Sequence, residues 1–474
     1  MTEPVYTFSV ELTTNSLTNL QSYCQRASYS RAIFDPFTPL APDAALFELV
    51  NDVGSFSPLL NAGLSIGRRV QLSATYGGSS FNLYSGRIKS LATRPVLGER
   101  TTVIEALSDI DRMDKTDIDT GIFKNIVASS LYTEIMSRSS VTSFTADADI
   151  FDNVSFAWYN DRSTAAALNQ LIQSGYYQFF ANGAGTMTLK SRYFGTFGTS
   201  VDTIDQQAFD LNYSLSDDGV VNRAHSHAIP RIQASDVTTI AYLPAPVSIP
   251  ASGHVGFFVS FLDPRDRSSV PVGSIVALVS SQDYYAAQNS DGTGTNFTSA
   301  LSLNTAVFGA SLVCSIFSAN SAEVFLSRFQ VRGYPILAGT ELAVKIDDSS
   351  SQNAYGLRET NFDENLLTNY GYLRDLATSI VGDRKEPRDK FDVHMINEFP
   401  GLLSYEVGDT LSLVNSLTGV NSQWTIRGMQ HEISLTRGLE HSVKFQLDRF
   451  SPRPWLVLDH PTYGKLDSGR QLAL

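Results

Sequence analysis

Residues 45–91 read ALFELVNDVGSFSPLLNAGLSIGRRVQLSATYGGSSFNLYSGRIKSL, and this stretch decides the fold class. Phe47 and Leu49 alternate with Leu46, Glu48 and Val50, and Asn51-Asp52 ends the run. Ser57-Pro58 opens a loop. Arg69, Gln71 and Ser73 then alternate with Val70, Leu72 and Ala74. Successive strand side chains point to opposite faces, so this spacing puts one face in a core and the other in water. Gly77-Gly78 supplies the positive-φ positions of a turn, and 81–88 returns as a third strand.

Working outward, 6–12 alternates through Phe8, Val10 and Leu12, Pro36, Pro39 and Pro42 break the chain before the strand at 45, and 102–107 adds another strand. Strands at this spacing predict a barrel or sandwich for residues 1–112. The acidic run 109–119 marks a boundary. Beyond it, Phe123, Val127, Leu131 and Ile135 recur every fourth residue, which predicts a helix. A second helix is expected over 163–174, with Ser163 as N-cap, Thr164, Leu168, Leu171 and Ile172 inward, and Gly175 just past its end. An aromatic hairpin follows, turning at 182–185. Residues 113–204 thus read as a small α+β domain.

A strand, a polar turn and a strand fill 211–229, and Pro230 closes them. Residues 236–340 read as an inserted β-sandwich, with strands over 255–261, 276–280 and 322–332. The longest helix is expected over 363–382, capped by Asp363, with Leu366, Tyr370, Leu373, Ala377 and Ile380 on one face. Strands over 390–395, 410–414, 423–427, 432–434 and 443–447 complete a second β unit, made of 205–235 and 341–450. Residues 451–474 read as an extended tail.

The 474 residues suffice for several domains. Charged residues are 18%, below the usual ~25%. A net charge of −13 and the lack of any basic run argue against general affinity for duplex nucleic acid. Two cysteines, Cys24 and Cys314, exclude a disulfide framework and make a thiolate metal site improbable. The start MTEPVYTFSV lacks the build of a signal peptide, and no apolar run reaches the ~18 residues of a membrane helix, so assembly in a cytoplasm is expected.

Gly63-Leu64-Ser65-Ile66-Gly67 matches a nucleophile elbow, but a loop precedes it and a strand follows, the reverse of what that elbow needs. His225 and His227 share one strand face and could begin a metal site, for which a third ligand must come from elsewhere, with His254 and His431 the other histidines considered. Asp109, Asp111, Asp114, Asp117 and Asp119 fail the calcium-loop spacing, and 289–295 is a similar acidic, glycine-rich loop. Trp158, Tyr159, Tyr284 and Tyr285 offer rings that could stack on sugars, although most such rings are core. No residue is assigned a catalytic, cofactor or metal role.

The order of these elements resembles the tail-tip or baseplate hub proteins of long-tailed bacteriophages. The resemblance rests on Asn51-Asp52, the Phe56-Ser57-Pro58 step, Gly67 to Val70 and Gly86-Arg87-Ile88. It continues through Asp283-Tyr284-Tyr285, 291–295, FLSRFQVRGYPI at 325–336, Tyr355 to Arg358, Gly408-Asp409-Thr410 and Ile426 to Gly428. It implies a mainly β (α+β) chain with two tail-tube-like antiparallel β-barrels, a small α+β domain and an inserted β-sandwich. It also implies a homotrimer that ends the tail tube, adapts a six-fold tube to a three-fold tip and lines the genome-ejection channel. The implied partners are the tail tube or distal tail protein, the central fibre or tip proteins, the tape measure protein, and genomic DNA passing without specific binding. No enzyme activity or cofactor is implied. Alternatives are a tail-tip cell-wall hydrolase, receptor or polysaccharide binding through 236–340, and a distal-tail ring protein.

Overall fold

The computed structural model describes residues 3–34, 36, 38–96, 99–192, 200–205, 210–416, 419–436 and 438–449, with two two-residue strands at Trp455–Leu456 and Gln471–Leu472. The chain is mainly β with a minority of helix. The expected tail at 451–474 otherwise lies outside the described residues.

Residues 45–91 fold as expected, as strand, loop, strand, turn and strand. Ala44–Val50, Arg69–Tyr76 and a long Ser79–Val96 strand build antiparallel ladders with Val5–Thr13 and Glu99–Leu107. Gly77 and Gly78 take φ of 57° and 86° at the turn. Phe8, Val10, Phe47, Leu49, Val70, Leu72 and Ile104 fill the core between the strands. Phe8 and Phe47 stack with ring centroids 4.3 Å apart.

These strands belong to one 13-stranded sheet that also holds Asp210–Ser216, Arg388–Ile396, Thr410–Asn415, Val420–Ser434 and Glu440–Arg449. The second group encloses its own core of Phe391, Val393, Leu411, Trp424, Ile426, Phe445 and Leu447. The two separate strands expected over 423–434 are one, bent at a bulge between Ile426 and Gly428. Among the described residues neither group closes into a barrel by hydrogen bonds, because the path runs open from Asp210–Ser216 to Ser16–Asn19.

Residues between the two groups depart from the expected helices. Phe123–Val127 is a strand paired with Asn153–Ala157, and the helix starts only at Ala128. The period-four spacing was therefore half accident: Phe123 packs from a strand, and only Leu131 and Ile135 are helical core. The next helix, Thr164–Gly175, is capped by Ser163, whose Oγ accepts from the Ala166 N–H at 3.2 Å. Its left-handed end residue is Tyr176 (φ 52°), not Gly175. Gly175 is required for another reason: a Cβ there would sit 2.0 Å from the Tyr177 ring.

The longest helix is Tyr370–Arg384, shifted from the expected 363–382. Asp363 lies in a strand, Glu359–Glu364, and the cap is Asn369, whose Oδ1 accepts from the Tyr372 N–H at 2.7 Å. Tyr370 is exposed. No single stripe governs this helix because it is buried on two sides. Tyr372, Leu376 and Ile380 join the core of residues 110–189, while Leu373, Ala377 and Val381 meet the sheet Leu342–Asp347, Arg223–Ala228, Glu359–Glu364. The strands on either side of the polar turn near 217–222 do not pair with each other. Asp210–Ser216 joins the large sheet and Arg223–Ala228 the small one.

The strands between Arg231 and Ala338 pair only with one another, in a six-stranded and a three-stranded sheet. The expected strand at 276–280 is absent, and Val272–Ile275 takes its place against Val324–Ala338. The chain enters and leaves side by side, with the Gly339 N–H bonded to the Pro230 carbonyl at 2.8 Å. No helix among the described residues is long and apolar enough to cross a membrane.

Candidate functional site

The feature that sets the architecture is a seam. The Cys24–Ala32 strand pairs with Ala44–Val50 on one side and with Val420–Ser434 on the other, from Arg26 opposite Ser434 to Ala32 opposite Gly428. One strand therefore fuses the two β groups into a continuous sheet. Its inward side chains are Cys24, Ala27, Tyr29 and Arg31.

A polar chain lies behind the seam, fully enclosed. Tyr6 Oη stands 2.8 Å from His441 Nδ1, His441 Nε2 is 2.9 Å from His431 Nδ1, and His431 Nε2 is 3.2 Å from Met429 Sδ. Tyr29 stacks on His431 with centroids 4.3 Å apart. One proton arrangement satisfies every donor: Tyr6 donates to His441, His441 to His431, and His431 to the weak sulfur acceptor. Both imidazoles are then neutral. Burial pushes both below the ordinary histidine range, His441 to about 3, and the nearby Arg31 charge adds to the effect on His431. Arg31 is held by an ion pair to Glu406 and donates to Met429 Sδ at 3.3 Å. Lack of access makes this network structural rather than reactive. Sequence reading missed it, because residues 6, 431 and 441 meet only when the two groups join.

Two cavities flank the second β group. The larger, about 500 Å³, lies between the sheet, the Tyr370–Arg384 helix and the strand at 178–181. Its arginines have local partners: Arg192 pairs with Asp152, Arg388 with Asp383 and Asp448, Arg427 reaches Asp448 at 3.4 Å and Gln178 at 3.1 Å, and Arg384 donates to the Tyr176 hydroxyl at 3.1 Å. The other, about 480 Å³, lies over the open sheet face and presents Asp210, Asn212, Asp392, Lys444 and Gln446. Among the described residues burial raises three carboxyls, Asp43 to about 7, Glu364 to about 8 and Asp409 above the ordinary carboxylate range, and none of them lines either cavity.

The residues that the sequence offers for chemistry are dispersed. His225 and His227 do share a face, with rings 6.3 Å apart, and each leans on one glutamate, Glu359 at 3.9 Å and Glu341 at 3.0 Å. His254 is far along the chain at an exposed strand start and His431 is in the seam. No group of three or more His, Cys, Asp or Glu side chains placed to hold a metal occurs among the described residues. Asp109 and Asp111 pair with Arg87, Lys89 and Lys115. Asp291 accepts from its own loop, from Thr293 N–H and Oγ1. Residues 63–67 are loop, with Leu64 buried. Tyr159 is core, Arg231 lies over Trp158, Arg328 over Tyr285, and Tyr284 packs on the core of the inserted sheets. Asp283 forms a two-pronged ion pair with Arg332 and is buried, so that motif is a structural clasp.

No family model and no curated protein sequence matches the chain. Solved structures do. A tail protein from Neisseria meningitidis MC58 superposes with a TM-score of 0.53 at 9% identity, over 94% of this chain and 98% of that one. A 43 kDa tail protein of prophage MuSo2 from Shewanella oneidensis gives 0.51 at 8% identity, over 94% and 98%. The chain has the fold of these tail proteins across nearly its whole length.

Proposed function

We propose that the chain is a structural virion protein of a phage tail tip, the hub at which the tail tube ends. The observation that carries this reading is the seam, which joins two β groups rigidly in one chain within a tail-protein fold. A subunit with two such units supplies six to a ring when three copies assemble, which would reconcile a six-fold tube with a three-fold tip. The division that goes with it is 1–112 and 205–235 with 341–450 as the two tube-like units, 113–204 as the small α+β domain, 236–340 as the insert and 451–474 as a tail. A distal tail or tube protein would adjoin the ring above, and fibre, tip and tape measure proteins below. DNA would pass the lumen unbound, in keeping with the net charge of −13. No bond-breaking step is assigned, since none of the raised carboxyls lines either of the two cavities.

Light scattering on the purified chain and low-resolution imaging of labelled particles test this. Three copies in a ring at the distal end of the tail support it. A stable monomer, or a hexamer of the distal-tail kind, overturns it.

A further inference from the structure

The inserted sheets carry a surface unlike the rest of the molecule. Although 18% of the chain is charged, residues 237–262 and 292–322 contain no Asp, Glu, Lys or Arg. Those two tracts supply all three strands of one sheet: His254–Ser260, Leu301–Val307 and Ser311–Ser318. Its inner face is ordinary core, with Val259, Leu312, Cys314 and Ile316 buried against Leu326 and Phe329. A core requirement explains that face and says nothing about the other one.

The outer face can be read from the register. His254 and Ser302 lie on either side of Phe317, Gly256 and Asn304 on either side of Ser315, and Phe258 and Ala306 on either side of Val313. Three rows result, an aromatic row at each end and a small polar row between. Phe258 is 61% exposed and Phe317 45%. Four residues of strand separate Phe317 from Val313, the neighbour of Phe258, so the two rings stand roughly 14 Å apart at ~3.4 Å per residue. Between them, Gly256 leaves a shallow trough with no side chain, bordered by the Ser315 hydroxyl and the Asn304 amide.

We propose that this face binds an uncharged polysaccharide, laid across the trough with two of its sugar rings on Phe258 and Phe317. Size and charge together select that occupant. Three strands at ~4.8 Å spacing and seven residues at ~3.4 Å rise bound about 340 Å², less than half of the ~800 Å² that each partner of a stable protein interface buries. A protein partner or a second copy would find too little area here. An ionic polymer would find no counter-charge. A neutral glycan needs flat rings for its apolar C–H faces and a few neutral hydrogen-bonding groups for its hydroxyls, and these are the groups present. The four rings that sequence reading considered for sugars are elsewhere, in cores or beneath arginines. The inference stands on the insert alone and does not depend on the hub reading.

The test uses the full chain in affinity gels cast with neutral glucan, mannan or galactan, with an acidic polysaccharide as comparison. At least one neutral polymer should retard the protein, and added salt should not release it. Phe258→Ala and Phe317→Ala should each weaken retention at least tenfold and Asn304→Ala severalfold. Val279→Ala, also exposed on the insert, should change nothing. Because all three mutated side chains are outside the core, unchanged thermal unfolding certifies folding. The proposal is overturned if no neutral polymer binds, if only the acidic one does, or if both Phe variants bind like the parent. It is equally overturned if those variants instead dissolve a self-associated species in light scattering, which would make the face a contact between copies.

Discussion

At the scale of residues, two buried groups make measurable statements, one in the seam and one in the small sheet. His441 sits between Tyr6 and His431. His441→Phe keeps the ring volume but strands a hydroxyl and an imidazole, each worth ~1–3 kcal/mol when buried unpaired, so the variant should unfold at least ~2 kcal/mol more easily at pH 7. The pH dependence has a definite sign. His441 titrates near 6.5 when unfolded and at about 3 when folded, so between those values the unfolded chain holds the extra proton. Stability from this group is complete above 6.5 and is lost as pH falls, with a slope of up to ~1.4 kcal/mol per pH unit. Asp43 and Glu364, with folded values of about 7 and about 8, slope the opposite way, so the effect is to be read as the difference between parent and His441→Phe in denaturant titrations from pH 4 to 7. Glu364 makes the second statement. Its carboxyl is enclosed with Oε2 unpartnered, the state of a protonated acid. Its contribution is full below about 4 and is lost as pH rises towards 8, so Glu364→Gln should gain stability relative to the parent over that interval. A constant difference across the interval would mean the acid is ionised in the fold.

At the scale of elements, the strands with clean alternation were legible, while the seam strand Cys24–Ala32, the strand Phe123–Val127 and the helix starts were not. Alternation through Phe47 and Leu49, or Val70, Leu72 and Ala74, reports one buried face, and a strand with one buried face has little freedom to be anything else. The period-four run from Phe123 misled because a strand leading into a helix can place its last apolar residue in phase with the helix. The Tyr370–Arg384 helix misled because burial on two sides erases the stripe on which a boundary estimate depends. Its cap discriminates the two placements. Asn369→Ala should cost ~1 kcal/mol in chemical unfolding, whereas Asp363→Ala, exposed in a strand, should stay within ~0.5 kcal/mol. Equal effects would return the helix start to 363. Gly175→Ala forces a methyl into the Tyr177 ring and should cost ~1–3 kcal/mol, the range of overpacked cores. The uncharged outer face of the insert was invisible for a different reason: charge absence in two tracts carries no periodicity, and only the register places 254–260, 301–307 and 311–318 side by side.

At the scale of the molecule, the question is whether assembly and surface recognition are separable. Among the described residues the insert meets the rest of the chain through the Gly339–Pro230 bond at its neck, the Gly309 N–H to the Thr120 carbonyl at 2.8 Å, Lys124 to Gln233 at 2.8 Å, and Trp158, which lies under Arg231 and against Gly309. None of these involves the 13-stranded sheet or its seam. Because entry and exit are hydrogen-bonded neighbours, replacing residues 231–338 by a three-residue Gly-Ser linker closes the chain without stretching it; loop closure over so short a gap costs little. The shortened protein should keep the oligomeric state of the full chain in light scattering, lose at most ~2–3 kcal/mol from the vacated Trp158 and Thr120 contacts, and no longer be retarded by any neutral polysaccharide. Loss of the oligomer with retained folding would show that the insert, not the seam-joined sheet, holds the copies together. Assembly would then have to be rebuilt around residues 231–338, since a rigid double unit that cannot associate without its insert is no scaffold for a ring.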